Sequence, residues 1–85
     1  MVSPRIAAYK EALAAANAAA NALIAYDRAA CAEKHPNDPF ALLTWEAPET
    51  EERRRLVEAR DTTQAAFDAA VDALTGREMD AIAGY

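Results

Sequence analysis

The fold is decided by residues 6–34, which read IAAYKEALAAANAAANALIAYDRAACAEK. This stretch has no proline or glycine and holds more than half of the chain's alanines, and alanine is the best helix former. Ser3 can cap the free N–H groups at its start, Pro4 fits a first helical turn, and Pro36 disfavours continuation. We therefore expect one helix over about residues 4–34, roughly 45 Å long. The rest of the chain must lie along this rod.

The composition favours a thin core. The chain has 85 residues, and 53% of them are hydrophobic, but 24 are alanine. Burial of so small a side chain contributes little to the stability of the fold. A chain of this length forms one domain, residues 1–85, and buries only about 60–65% of its unfolded surface. No segment alternates apolar and polar residues as strands do, so we expect an all-α fold.

Two opposite sides of the long helix are apolar. With 100° per residue, Leu23, Ile24 and Cys31 fall on one side, which predicts the seam for a second helix. The other side carries small residues and one tyrosine: Ala8, Ala12, Ala15, Ala19, Ala22 and Tyr26. A helix that is apolar nearly all round is usually buried on more than one side, so we expect a homodimer interface here. The alternative is that alanine merely fills the helix.

Residues 35–48 interrupt the helices, because they contain three prolines. Asp38 followed by Pro39 repeats the cap-and-proline pattern, which predicts a short helical turn over about residues 39–45. Phe40 and Trp45 supply large apolar side chains to this turn. The sequence favours an apolar plug that closes the end of the helices. The alternative is an exposed docking patch for a partner.

A second, amphipathic helix is predicted over about residues 48–75. Leu56, Phe67 and Leu74 share one of its sides, and glutamates in its first turns complement the helix dipole. Its outer side carries an acidic stripe: Glu58, Asp61, Asp68 and Asp72. Such a stripe is usually a solvated face. The alternative is a surface that competes with nucleic acid for a basic groove.

The last segment predicts a third helix. Thr75-Gly76 would end the second helix, and Thr75 and Glu78 have the spacing of a capping box for a short helix over about residues 77–83. The predicted fold is therefore an antiparallel helical hairpin with short helical turns. Two copies would form a four-helix dimer.

Charge limits the choice of partners. The net charge is −5 and the isoelectric point about 4.7, which disfavours direct binding to nucleic acid or to an anionic membrane. A protein partner with a basic surface fits this charge. Asn17 and Asn21, four residues apart at the edge of the seam, could fix the register of a helix interface or remain solvated.

Groups for catalysis are few. His35 is the only histidine and Cys31 the only cysteine, so we expect neither a metal site nor a cofactor. Cys31 lies on the seam, which predicts a buried apolar group, and a single cysteine fits a reducing, cytoplasmic setting. An enzyme would need a dimer interface that gathers Arg28, Arg60 and His35 into one anion pocket.

These observations favour a non-enzymatic protein–protein interaction module, an adaptor or an inhibitor of a larger complex. A phage or bacterial regulator that blocks a nucleic-acid-binding machine through its acidic stripe is one concrete version. Phe40 and Trp45 would add to the partner contact. The small helical enzyme with an anion pocket is the alternative.

Overall fold

The computed structural model describes residues 3–84 and is all-helical over that range. It contains three α-helices, α1 (Pro4–Lys34), α2 (Glu51–Asp72) and α3 (Gly76–Ala83), and one 3₁₀ turn (Ala41–Leu43). The expectation of helices without strands, the first of them long, is confirmed for these residues.

Helix α1 begins and ends where the local signals predict. The Ser3 hydroxyl accepts a hydrogen bond from the Arg5 N–H at 3.3 Å, and proline occupies the first turn. At the other end the His35 N–H donates to the Cys31 carbonyl at 2.8 Å, and Pro36 follows. Helical bonding stops there because proline disfavours helix in the residue before it.

The loop and α2 are shorter than predicted. The helical turn spans Ala41–Leu43 rather than residues 39–45, after Asp38 accepts from the Phe40 N–H at 3.0 Å. Helix α2 starts at Glu51, not near Pro48, because the Thr50 side chain caps the Arg53 N–H at 3.1 Å.

The junction between α2 and α3 corrects one prediction. Helix α2 ends at Asp72, and Gly76 is the first residue of α3 rather than the stop of α2. The predicted capping box of Thr75 and Glu78 is present, with both of its hydrogen bonds. Gly84 adopts φ 85°, the left-handed conformation that closes a helix without steric cost.

The two long helices contact each other along their length. The Tyr9 ring lies 5.5 Å from the Phe67 ring, and the Tyr26 hydroxyl lies 2.6 Å from the Thr50 hydroxyl. The start of α1 therefore lies beside the later part of α2, and the end of α1 beside its start.

The core is thin, as the composition predicts. Among the described residues only Ala16, Leu23, Cys31 and Ala41 are buried. Leu23 and Cys31 are buried, as the predicted seam requires, but Ile24 is 47% exposed and lies outside the contact with α2.

The shape is extended, with principal extents of 50 × 26 × 19 Å and a radius of gyration of 17.2 Å. A compact domain of this length has a radius of gyration of about 12 Å. The accessible surface is 6436 Å² for a mass of 9.2 kDa, whereas a compact monomer of that mass exposes about 4,900 Å². The chain thus leaves about 1,500 Å² of surplus surface in contact with solvent.

Candidate functional site

The junction of α1 and α2 is held by a polar cluster at one end. Arg53 donates to both carboxylate oxygens of Asp27, from Nε at 2.9 Å and from Nη2 at 3.1 Å. The hydrogen bond to Asp27 raises the pKa of Arg53 above its ordinary value. Tyr26 and Thr50 bond beside this pair. Sequence reasoning missed the cluster because its partners lie on different helices.

A second polar cluster attaches α3 to the start of α1. The Glu78 carboxylate accepts from the Ser3 hydroxyl, from the Thr75 N–H at 3.0 Å and from Arg5 Nε at 2.8 Å. These bonds, the one from Ser3 foremost, lower the pKa of Glu78 to about 2. The capping glutamate of α3 therefore also anchors α3 to the rest of the chain.

The predicted dimer side of α1 divides in two. Ala8, Ala15 and Ala22 are exposed, as that prediction requires. Ala12, Ala19 and Tyr26 are half-buried, and Tyr26 bonds to Thr50 of α2. These three lie at the flank of the α1–α2 contact, and their place in a dimer interface stays a prediction.

The exposed part continues as a broader stripe, which we call the alanine face. Its members recur at spacings of mostly three and four, as on one side of a helix. They are Ala8, Ala15, Ala18, Ala22, Ala25 and Ala29, all exposed, and Glu11 lies on the same side between Ala8 and Ala15. By the 100° step this face lies opposite α2. The face is about 32 Å long at 1.5 Å per residue.

The acidic stripe is exposed at all four positions, on the side of α2 away from α1. Asp61 pairs with Arg60 at 3.1 Å, and Asp68 accepts from Gln64 at 3.1 Å. Glu58 and Asp72 have no ion pair within the described residues. The stripe keeps most of its charge available to solvent.

The loop exposes what we call the apolar tip, formed by Phe40, Leu42 and Leu43. Phe40 is 71% exposed and Leu43 is 81% exposed. The expectation of an apolar plug is therefore wrong for Phe40 and Leu43. Trp45 is only half-buried, and Ala41 is the buried residue of the turn. The loop packs on α1 through the small side chain of Ala41 and exposes Phe40 and Leu43 to solvent.

At the other end of the molecule lies what we call the apolar groove. It has a volume of about 380 Å³ between the start of α1, the end of α2 and α3. Its lining includes Tyr9, Phe67, Val71, Leu74, Met79 and Ile82. Met79 at its edge is 44% exposed. No charged side chain lines this groove.

One cavity beside the loop bears on the enzyme alternative. Arg28, Cys31, His35 and Asp38 line a cavity of about 400 Å³ beside the loop. Arg28 and His35 of the proposed anion pocket thus line one cavity, but Arg60 lies elsewhere, on α2. Within residues 3–84 no three His, Cys, Asp or Glu side chains form a group that could hold a metal ion.

Comparison with known proteins identifies no relative: no family model, curated protein or solved structure matches this chain. None of the helices in the described range combines the length and the apolar character needed to cross a membrane.

Proposed function

We propose that this chain is a non-enzymatic protein–protein interaction module that works as a homodimer. The observation that carries the proposal is the surplus of about 1,500 Å² of exposed surface relative to a compact monomer. Obligate homodimers bury about 1,000 to 2,500 Å² on each partner. The surplus is therefore of the size that a second copy would cover.

The small number of buried residues supports the same proposal. Among the described residues no side chain is fully buried, and α2 contributes no buried residue. The conformational entropy lost by ordering a chain of this length must be offset by buried apolar area. A second copy would supply the missing area.

The alanine face is the surface we assign to this contact. Alanine side chains let two helix axes approach to about 8 Å, which would bring the backbones into contact from Ala15 to Ala29, while the exposed Glu11 lies toward the Ala8 end of the face. The subunit would be an antiparallel hairpin of α1 and α2, and the dimer a four-helix assembly.

The partner function is assigned to the acidic stripe. Its carboxylates point away from α1, so they stay accessible when the alanine face is covered. A basic protein surface is the complement of such a stripe. We propose that the dimer is an adaptor or an inhibitor of a larger complex, in the manner of a phage or bacterial regulator that occupies a basic groove.

Sedimentation of the parent and of an Ala15→Glu/Ala22→Glu variant tests the dimer. Both alanines are exposed, so the variant should fold, but it would bury four carboxylates in the dimer. We expect a dimer for the parent at tens of micromolar and a monomer for the variant.

The matched control is Ala65→Glu/Ala69→Glu, which adds the same charge at two exposed alanines of α2. This control should remain a dimer. A parent that sediments as a monomer at tens of micromolar would overturn the proposed function.

A further inference from the structure

We propose that Glu11 of one copy pairs with Arg28 of a second copy, and that this reciprocal pair selects an antiparallel dimer through the alanine face. The inference rests on the dimer proposed above and assigns that dimer an orientation and a register. By two-fold symmetry each chain would supply one glutamate and one arginine, so the dimer would contain two identical ion pairs.

Both side chains are exposed and unpaired within one chain. Neither Glu11 nor Arg28 has an opposite charge within salt-bridge distance among the described residues. Both lie on α1, about 26 Å apart along the helix at 1.5 Å per residue, so they cannot reach each other in one chain. A second copy can bring an arginine to the glutamate.

The sides of α1 on which the two residues lie fit a contact across the alanine face. With 100° per residue, Glu11 lies about 10° from the centre of the face, and Arg28 lies about 110° from it, at the edge. A long arginine side chain at such a flanking position can reach across a helix interface, as charged residues beside the apolar seam of a coiled coil do. The glutamate therefore lies toward the second copy, and the arginine borders the contact.

Both residues also fall on one side of the dimer. They are displaced in the same rotational sense from the centre of the alanine face, by the same 100° step. A two-fold axis that relates two antiparallel helices brings residues displaced in the same sense to the same side of the interface. Arg28 of the second copy therefore lies on the side toward which Glu11 leans.

The levels of the two residues agree with the centre of the face. The alanine face runs from Ala8 to Ala29, so its midpoint is position 18.5, and the midpoint of Glu11 and Arg28 is position 19.5. The two midpoints differ by about 1.5 Å along the helix. An antiparallel copy that covers the face therefore brings its Arg28 to the level of Glu11. The residue that Glu11 then meets most directly is Ala29, whose small side chain leaves room for the carboxylate.

A parallel copy would bring like charges together. Glu11 of each copy would lie at the same level near the centre of the interface, and Glu33, about 30° from the centre of the face, would repeat the conflict near the end of α1. Like charges that face each other across a contact oppose association. In the antiparallel register Glu33 lies at the level of Ile6, where neither neighbouring residue is acidic. The charges of α1 therefore favour the antiparallel copy.

Charge reversal tests the proposed pair. Glu11→Arg and Arg28→Glu each turn both attractive contacts of the dimer into repulsive ones, and both residues are exposed, so the chain should fold. Each variant alone should weaken the dimer by about tenfold or more in sedimentation equilibrium, because the change acts twice in each dimer. In a parallel dimer each residue would face its own copy, so neither reversal would change the sign of a contact.

The double variant Glu11→Arg/Arg28→Glu shows whether the two residues face each other. It restores both attractive contacts and keeps the net charge of the parent, so it should dimerise like the parent. Glu11→Gln gives a second check of orientation. It should weaken an antiparallel dimer by removing an attraction, whereas it would tighten a parallel one by removing a repulsion.

The matched controls are Glu58→Arg and Arg54→Glu, which make the same changes of charge at exposed positions of α2. They should leave the affinity of the dimer unchanged. Circular dichroism should show the same helix content in all of these variants.

The outcomes separate this inference from the proposed function. If Glu11→Arg and Arg28→Glu leave the dimer intact while Ala15→Glu/Ala22→Glu dissolves it, the ion pair is wrong and the dimer stands. A double variant that stays as weak as the single ones overturns the pair, as does an equal loss in the controls. A monomeric parent overturns both proposals.

Discussion

At the scale of the residue, Tyr26 shows how one hydroxyl joins the long helices. It bonds to Thr50, whose oxygen also caps the first turn of α2 through the Arg53 N–H. Arg53 in turn binds Asp27, the residue next to Tyr26. Thr50 therefore both caps the first turn of α2 and joins α2 to α1.

We expect Tyr26→Phe to lower the free energy of unfolding by about 1 kcal/mol, the contribution of one hydrogen bond. The ring and the Thr50 cap stay in place, so helix content should not change. Urea unfolding at a fixed protein concentration measures the difference.

The control for this prediction is Tyr9→Phe. The Tyr9 ring lies against Phe67, and its hydroxyl makes no hydrogen bond among the described residues. It should unfold like the parent. An equal loss in both variants would show that the Tyr26–Thr50 bond contributes nothing specific.

At the scale of the element, α3 is the weakly attached part of the fold. It has eight residues, none of them buried, and short isolated helices are marginal in water. Glu78 compensates by joining the capping box to Ser3 and Arg5. The stability of α3 therefore depends on the charge of one carboxylate.

We expect the attachment of α3 to depend on pH in the acid range. The pKa of Glu78 is lowered from 4.5 to about 2. A lowered pKa in the folded state means that the stabilisation is fully present above the unfolded value and is lost as the pH falls through the folded value. NMR signals of Ile82 and Met79 should therefore report detachment of α3 between about pH 4.5 and 2.

Glu78→Gln should weaken the attachment at neutral pH and remove this pH dependence. Asp80→Asn changes an exposed carboxylate on the same helix, and this variant should keep the pH dependence. Loss of the transition in both variants would mean that other acidic groups cause it.

At the scale of the whole molecule, the chain is a rod with different surfaces on different sides. The alanine face lies on one side of α1, and the acidic stripe lies on the far side of α2. The apolar tip and the apolar groove occupy opposite ends. Under the proposed function, this separation would let one surface hold a second copy while another meets a different protein.

We expect Asp61→Asn/Asp68→Asn/Asp72→Asn to keep the fold and to weaken capture of a basic partner. The three residues are exposed, and their charges attract such a partner over a Debye length of about 8 Å at physiological salt. In pull-downs, the variant should capture less partner than the parent at low salt. At high salt the two should capture similar amounts, because screening already weakens binding by the parent.

The control variant is Glu33→Gln/Glu46→Gln/Glu49→Gln, which removes the same number of charges at exposed positions outside α2. It should capture the partner like the parent. An equal loss in both variants would show that net charge alone, rather than the acidic stripe, attracts the partner.

The sequence by itself determined the local features of this protein. Ser3, Pro4 and Pro36 set the bounds of α1, and Thr75 with Glu78 set the capping box of α3. Caps, prolines and alanine propensity act within one turn of backbone, so their effects can be predicted without knowing what packs against the helix.

Only the tertiary structure decided how far the side of α1 that meets α2 extends: Leu23 and Cys31 of the predicted seam are buried, but Ile24 is 47% exposed. Alanine lies on nearly all sides of this helix, so side-chain size does not mark the edges of the buried side, and Ile24 was placed within it in error. Contacts such as Tyr26–Thr50 and Arg5–Glu78 join residues 24 and 73 positions apart. They arise from how the helices meet in space, which no local pattern in the sequence encodes.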